Sequence, residues 1–218
     1  MTNQKYIPAL RYEWLTGLYD TVMHKMMRET TFKQALVRQA KVEKDNRVLD
    51  LGCGTATLTL LIKQSHPEAQ VTGLDGDPKA LQIAKEKVAN SGLDITLDEG
   101  MAFDLPYPDN SFDRVFSGLL FHHLAREDKE RTLKEVYRVL KPGGELHVAD
   151  WGKASNVLAR LAFFLVQLLD GFKTTTDNVK GLLPIFFSEA GLQGVQETAR
   201  YETVFGTMAL YKALKSSR

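Results

Sequence analysis

The chain has 218 residues, 44% of them hydrophobic, with 28 basic and 27 acidic side chains and a formal net charge of +1. That length supports one α/β domain with a substantial core, and the balanced charge gives no electrostatic footprint for nucleic acid. The lone cysteine, Cys53, excludes an internal disulfide and any cysteine-based zinc spacing, which fits a reducing, cytoplasmic setting.

The first residues, Met1 to Lys5, lack the apolar core of a signal peptide. The most apolar stretch, 157–172, is interrupted by Arg160, Gln167 and Asp170 and falls short of the roughly 20 apolar residues that span a bilayer. A soluble protein is expected, with contact at a membrane surface left open.

In chain order, two helices are expected first, over 6–19 and 31–40. Strand and helix patterns then alternate. The stretch VLDLGCGTA, residues 48–56, is an apolar strand ending in two glycines one residue apart and running into a helix near 57–65. Glycine reaches positive φ cheaply and lets a ligand approach the backbone, while the helix start offers unpaired amides to electronegative groups. Such a loop suits a nucleotide-like cofactor. A strand over 70–74 follows, then a helix over 78–90 with Asp77 as N-cap, Pro78 in its first turn and Asn90-Ser91-Gly92 as its stop.

Next come a strand at 95–97, a turn-rich loop over 100–111, a strand over 112–117, and a helix near 126–140 ended by Lys141-Pro142-Gly143-Gly144. A strand over 145–150 completes the alternation, which argues for a parallel sheet covered on both faces. Two helical segments, near 155–169 and 177–190, interrupt the rhythm. Two apolar runs, 192–199 and 203–214, close the chain as a hairpin able to sit antiparallel at the sheet edge.

In an open α/β sheet, ligands bind beyond the carboxyl ends of the strands. Asp75 stands at such an end, 21 positions after Gly54, where a carboxylate can accept from two vicinal ribose hydroxyls. Nicotinamide binding is a competing reading. It is lowered by Thr57 at the third glycine position of that fingerprint and by Asp50 just before the first glycine.

The stretches VLDLGCGTA (48–56), GLDGD (73–77), LPYPDNSFDRVFSGLLFHHL (105–124) and EVYRVLKPGGELHVADW (135–151) together resemble the class I S-adenosylmethionine-dependent methyltransferases, especially the ubiquinone and menaquinone C-methyltransferase subgroup. The resemblance implies a Rossmann-like, seven-stranded, mostly parallel sheet of order 3-2-1-4-5-7-6 with its last strand antiparallel. It also implies that S-adenosylmethionine lies over Gly52, Cys53 and Gly54, with Asp50 supporting that loop. Asp75 would hold the ribose, with Gly76 and Asp77 beside the adenosine. The Ala102 amide would meet the adenine, and Met101 stands where relatives carry an acid. Ala56 replaces a third loop glycine, and its methyl group is tolerable if the residue keeps negative φ. Ser117 would contact the amino group of the cofactor through its backbone carbonyl.

His122 is the candidate general base near the expected methyl position, with packing at the strand end as the alternative. His147 alternates within its strand and reads as structural. Asp150, at the end of the fifth strand, suits either the acceptor side or a helix cap. Tyr12, Trp14 and Tyr19 are expected to form an aromatic cover over the cofactor, and Tyr19-Asp20 resembles a pair in relatives. The N-terminal helices, about 5–40, and the insertion, about 152–190, are expected to form the acceptor side of a single domain.

The apolar helix around 161–166 then points to a small apolar or amphipathic acceptor, such as a quinone precursor or lipid, or else to an internal or homodimer contact. A protein that binds the cofactor without turnover is the main alternative to an enzyme.

Overall fold

A computed structural model describes residues 29–217. The expected helix over 6–19, with Tyr12, Trp14, Tyr19 and Asp20, lies outside the described residues.

The described chain forms α1 (Glu29–Gln39), β1 (Arg47–Leu51), α2 (Thr57–Ser65), β2 (Gln70–Asp75), α3 (Pro78–Ser91), β3 (Ile95–Glu99) and β4 (Phe112–Gly118). A single 3₁₀ turn, Phe121–His123, then leads to α4 (Arg126–Val139), β5 (Leu140–Trp151), α5 (Val157–Asp170), α6 (Phe172–Val179), α7 (Leu183–Glu189), β6 (Gln193–Thr203) and β7 (Gly206–Leu214). The strands make one sheet of order β3-β2-β1-β4-β5-β7-β6. β1 to β5 run parallel, and β7 lies antiparallel to both β5 and β6.

Period-two alternation divides the core between the two faces of the sheet. Leu49, Leu51, Val115, Leu146, Val148 and Tyr211 point to one face, where Leu133 and Val136 of α4 and Phe186 and Phe187 of α7 cover them. Val48, Phe116, Trp151, Met208 and Leu210 point to the other, under Phe32 and Leu36 of α1, Leu58 and Ile62 of α2, and Phe163 and Val166 of α5. Strands buried on both faces explain why β1 reads as a nearly continuous apolar run.

The signals around α3 act as expected. Asp77 accepts from the Lys79 amide at 2.9 Å, Pro78 occupies the first turn, and Gly92 ends the helix at φ 66°.

Two expectations are corrected. The segment 177–190 is not one helix, because Gly181 at φ 71° separates α6 from α7; glycine takes that conformation at little cost and the intrahelical ladder stops there. Ala56 does not keep negative φ. It sits at φ 61°, ψ 24°, as the N-cap of α2, so the chain tolerates left-handed strain of about 1–2 kcal/mol. Its methyl group is fully buried, and that burial offsets part of the cost.

Among the described residues, no helix is long and apolar enough to cross a membrane.

Candidate functional site

The parallel strands β1, β2, β4 and β5 end at one edge of the sheet, on either side of the β1/β4 boundary where the strand order reverses. Gly52, Asp75, Ser117 and Asp150 all stand at these ends. Topology alone thus gathers residues that are up to a hundred positions apart.

The glycine loop is built by β2. The amides of Gly52 and Cys53 both donate to the Leu74 carbonyl, at 2.8 and 3.0 Å. Asp75 continues the clasp: one carboxylate oxygen accepts from the Gly54 amide at 2.7 Å and the other from the Asp77 amide at 2.8 Å. Each oxygen has a second lone pair, so the carboxylate can hold the loop and still accept from a ligand. This loop-holding role is additional to the ribose role read from the sequence.

Gly52 and Gly54 adopt φ 72° and 53°. A Cβ on Gly52 would lie 2.9 Å from Leu120, whereas one on Gly54 would meet nothing within 4 Å. Open space above a bare backbone is what a ligand's amino-acid part requires.

Beneath the loop, Asp50 is almost completely buried. One of its oxygens accepts from the Thr59 hydroxyl at 2.6 Å, while Oδ1 finds no partner among the described residues. Burial pushes its pKa up to about 6 against the lowering effects of Thr59 and Lys33. Asp75 is raised as well, by burial first, with the amides of Asp77 and Gly54 pulling the other way. The Cys53 thiol is buried and its pKa is raised by the same desolvation, so it stays a protonated thiol at neutral pH. The Ser117 hydroxyl, wholly buried at the end of β4, has no partner among the described residues.

The expected adenine side is only partly polar. A Cβ on Gly76 would lie 2.7 Å from the Met101 sulfur, so the thioether packs directly on the glycine that follows Asp75. The Asp104 amide donates to the Met101 carbonyl at 3.0 Å, closing a tight turn, and Ala102 packs against the core. The Phe103 ring lies under the Arg131 guanidinium at 4.4 Å, and the Asp104 side chain is exposed.

His122 comes two residues after Leu120, the side chain against the glycine loop. It is 4% exposed, and its Nδ1 lies 2.9 Å from Asp150 Oδ1. Asp150 is fully buried against the histidine, and its Oδ2 accepts from the His122 amide of the 3₁₀ turn at 3.4 Å. Asn178, from the insertion, donates to the same Asp150 oxygen at 3.0 Å. Sequence reasoning missed Asn178, because nothing local marks an asparagine in α6 as the partner of a strand-end acid 28 positions earlier.

His147 is structural, as expected. It is fully buried, stacks on Phe116, and bonds Glu145 and Gln39 through its two ring nitrogens.

The opposite edge of the sheet carries a concavity of about 630 Å³ lined by Arg47, Lys63, Gln70, Thr72, Asp98 and Tyr107. Within it Tyr107 pairs with Asp98 and Lys63 with the Ala69 carbonyl, and none of the strand-end residues line it.

Residues 48–144 match the methyltransferase domain family. A demethylmenaquinone methyltransferase from Symbiobacterium thermophilum is 33% identical over 214 residues, covering 93% of this chain and 84% of that protein. One from Listeria monocytogenes is 38% identical over 141 residues, 64% of this chain, so the match spans little more than half, 56%, of that relative's length.

Two solved structures share the fold. The apo S-adenosylmethionine-dependent methyltransferase SibL has a TM-score of 0.74 at 22% identity, covering 97% of this chain and 63% of that one. A SAM-dependent methyltransferase from Aquifex aeolicus has a TM-score of 0.68 at 19% identity, covering 96% and 99%. The fold, the glycine loop clasped by Asp75 and the near full-length relative lead to one assignment: the chain belongs to the class I S-adenosylmethionine-dependent methyltransferase family, beside the demethylmenaquinone methyltransferases.

Proposed function

We propose that this protein transfers the methyl group of S-adenosylmethionine to a small apolar acceptor of the quinone type, as one methyltransferase domain spanning 1–218. The observation that carries the cofactor assignment is the Asp75 carboxylate holding the Gly54 amide at 2.7 Å beside open space over Gly54. The residues fit the cofactor in three further respects. Asp75 retains acceptor capacity for vicinal hydroxyls. The unpartnered Asp50 oxygen and Ser117 hydroxyl suit a cationic amino-acid part. Gly52 and Cys53 leave backbone beneath it, with Gly76, Asp77, Met101 and Ala102 on the adenosine side. Tyr12 and Tyr19 belong to the proposed cover over the cofactor.

When bound, the cofactor supplies a sulfonium-activated methyl group. The protein's share is alignment and exclusion of water, and positioning alone can lower such a barrier by roughly 7–11 kcal/mol. The names of the relatives support the acceptor class. Incubating cell extract with the protein and isotopically methyl-labelled cofactor is expected to label an apolar metabolite by mass spectrometry. Label only in polar metabolites would remove the acceptor class, and cofactor binding without any labelled product would favour a binding protein.

The insertion supports an apolar acceptor side. Val157, Leu158, Leu161, Phe164, Leu165, Leu168 and Leu169 are 45–78% exposed along one side of α5, while Phe163 and Val166 on the other side enter the core. Among the described residues, this continuous apolar face suits contact with an apolar partner or a lipid surface. Exposed Lys153, Arg160 and Lys173 lie along the same segment, the pattern of a helix resting on an anionic lipid surface, where a quinone-type acceptor resides. Co-sedimentation with anionic phosphatidylglycerol vesicles is expected and should be lost in a Leu161→Glu, Leu165→Glu double variant. A concentration-dependent dimer dispersed by the same substitutions would assign the face to a second copy instead.

A further inference from the structure

We infer that Glu135 and Arg138 of α4 are positioning residues for the base of the cofactor: they hold the segment after β3 at Leu105 and so fix the turn 101–104 on the adenosine side. This rests on the cofactor reading above.

No helix intervenes between β3 and β4, although parallel strands are ordinarily joined by one. Residues 100–111 return across the sheet as irregular backbone, and its N–H and C=O groups must find partners outside any ladder. Leu105 is 5% exposed and belongs to the core, so its peptide groups depend on the protein. Glu135 Oε2 accepts from the Leu105 amide at 2.8 Å, and Arg138 Nη2 donates to the Leu105 carbonyl at 3.1 Å. The two side chains stand in for a neighbouring strand at that residue.

Arg138 is fully committed to this task. Its Nε and Nη2 bond the two Glu135 oxygens at 2.8 and 2.7 Å, and Nη1 donates to the Tyr107 carbonyl at 2.7 Å and to Asp109 at 2.9 Å. With the Leu105 bond, every N–H of the guanidinium is engaged. A lysine ammonium is a point charge and reproduces only part of that fork. Hydrogen bonding to Arg138 holds the Glu135 carboxyl below its ordinary pKa, so the pair is charged at neutral pH.

Arg131, Glu135 and Arg138 are spaced four and three residues apart, which puts them on one stripe of α4. That stripe follows the segment, since Arg131 lies over the Phe103 ring at 4.4 Å. From β3, Asp98 accepts from the Tyr107 hydroxyl at 2.9 Å, and the Tyr107 ring meets Phe112 edge-on at 5.0 Å. At the strand ends the Gly100 amide donates to the Asp75 carbonyl at 3.0 Å, and the Met101 sulfur packs on Gly76. The turn is thus anchored before it, at Gly100, by β2 and after it, at Leu105, by α4. Met101 and Ala102, the residues assigned to the adenosine side, lie between the two anchors.

A wall formed in advance spares the ligand the entropy of ordering it. Fixing a single residue on binding costs on the order of 5- to 30-fold in affinity, so releasing the Leu105 anchor weakens the hold on the base and leaves the amino-acid end alone.

The test compares S-adenosylhomocysteine with S-ribosylhomocysteine, in which a hydroxyl replaces the adenine, by calorimetry and chemical-shift titration of the full chain. Arg138→Ala is expected to weaken S-adenosylhomocysteine about 10-fold and S-ribosylhomocysteine less than about twofold. Arg138→Lys should fall between Ala and the native residue. Glu135→Gln keeps a carbonyl oxygen for the Leu105 amide and is expected to retain most of the affinity that Glu135→Ala loses. A purely structural role would weaken both ligands alike. Equal losses for the two, or unchanged S-adenosylhomocysteine affinity in Arg138→Ala and Glu135→Ala, would overturn the inference. An unaltered protein that binds the two ligands equally would instead count against the adenosine reading itself.

Discussion

Replacing Asp75 with Ala is expected to weaken binding of S-adenosylhomocysteine by about 3 kcal/mol or more, a hundredfold or greater loss measured by calorimetry. Two effects combine. The substitution removes the proposed acceptor for the ribose hydroxyls, and it frees the Gly54 and Asp77 amides that the carboxylate now holds at 2.7 and 2.8 Å. The second effect loosens the loop in the free protein, so a modest fall in thermal stability should accompany the loss of affinity. Asp75→Asn separates the two. Its single carbonyl oxygen can accept from one amide while the NH₂ group cannot accept from the other, so affinity between Ala and the native residue is expected. An unchanged affinity in Asp75→Ala would remove Asp75 from the cofactor site.

The sequence disclosed what depends on local pattern. Val48, Leu49 and Leu51 read as a strand buried on both faces, and they enter the two opposing cores. Asp77 and Pro78 read as a helix start and act as one. The seven-strand order came through resemblance and matches the observed sheet. Contacts between distant segments were not legible. The Gly54 amide bonded to Asp75 and the Asn178 amide bonded to Asp150 bring together side chains and backbone from separate elements, and no periodicity encodes them. Ala56 shows a third case. Its identity predicts negative φ, yet the loop between Gly54 and α2 imposes φ 61° because packing on both sides of the turn overrides the local preference. His122 was visible as a candidate, but the carboxylate that orients it becomes apparent only when β5 pairs beside β4.

Cofactor affinity is expected to fall about tenfold between pH 7 and pH 5, through Asp50. In the free protein burial holds this carboxyl group's pKa up at about 6 from 3.8, so below pH 6 it keeps its proton. The cation of a bound cofactor favours the ionised form, so binding at low pH must expel that proton and loses about a factor of ten per unit below the pKa. Above pH 7 the dependence flattens. Calorimetry in buffers of different ionisation enthalpy should register close to one proton released at pH 5 and almost none at pH 7.5, and Asp50→Asn should remove most of the slope. A smaller part remains with Asp75, whose pKa is raised in the same direction.

Stability of the free protein is a poorer reporter of Asp50, because other groups, His147 among them, act in the opposite sense. The raised pKa of Asp50 makes the native state bind a proton that the unfolded chain releases between 3.8 and about 6, so its contribution is present at low pH and lost as pH rises through that window. His147 has a folded pKa lowered chiefly by burial, so its contribution is present above 6.5 and lost as pH falls below it. The opposed trends blur the stability profile, whereas the ligand measurement isolates the carboxylate beneath the glycine loop. A proton count near zero at pH 5, or an undiminished slope in Asp50→Asn, would show that the cofactor's positive charge does not act on Asp50.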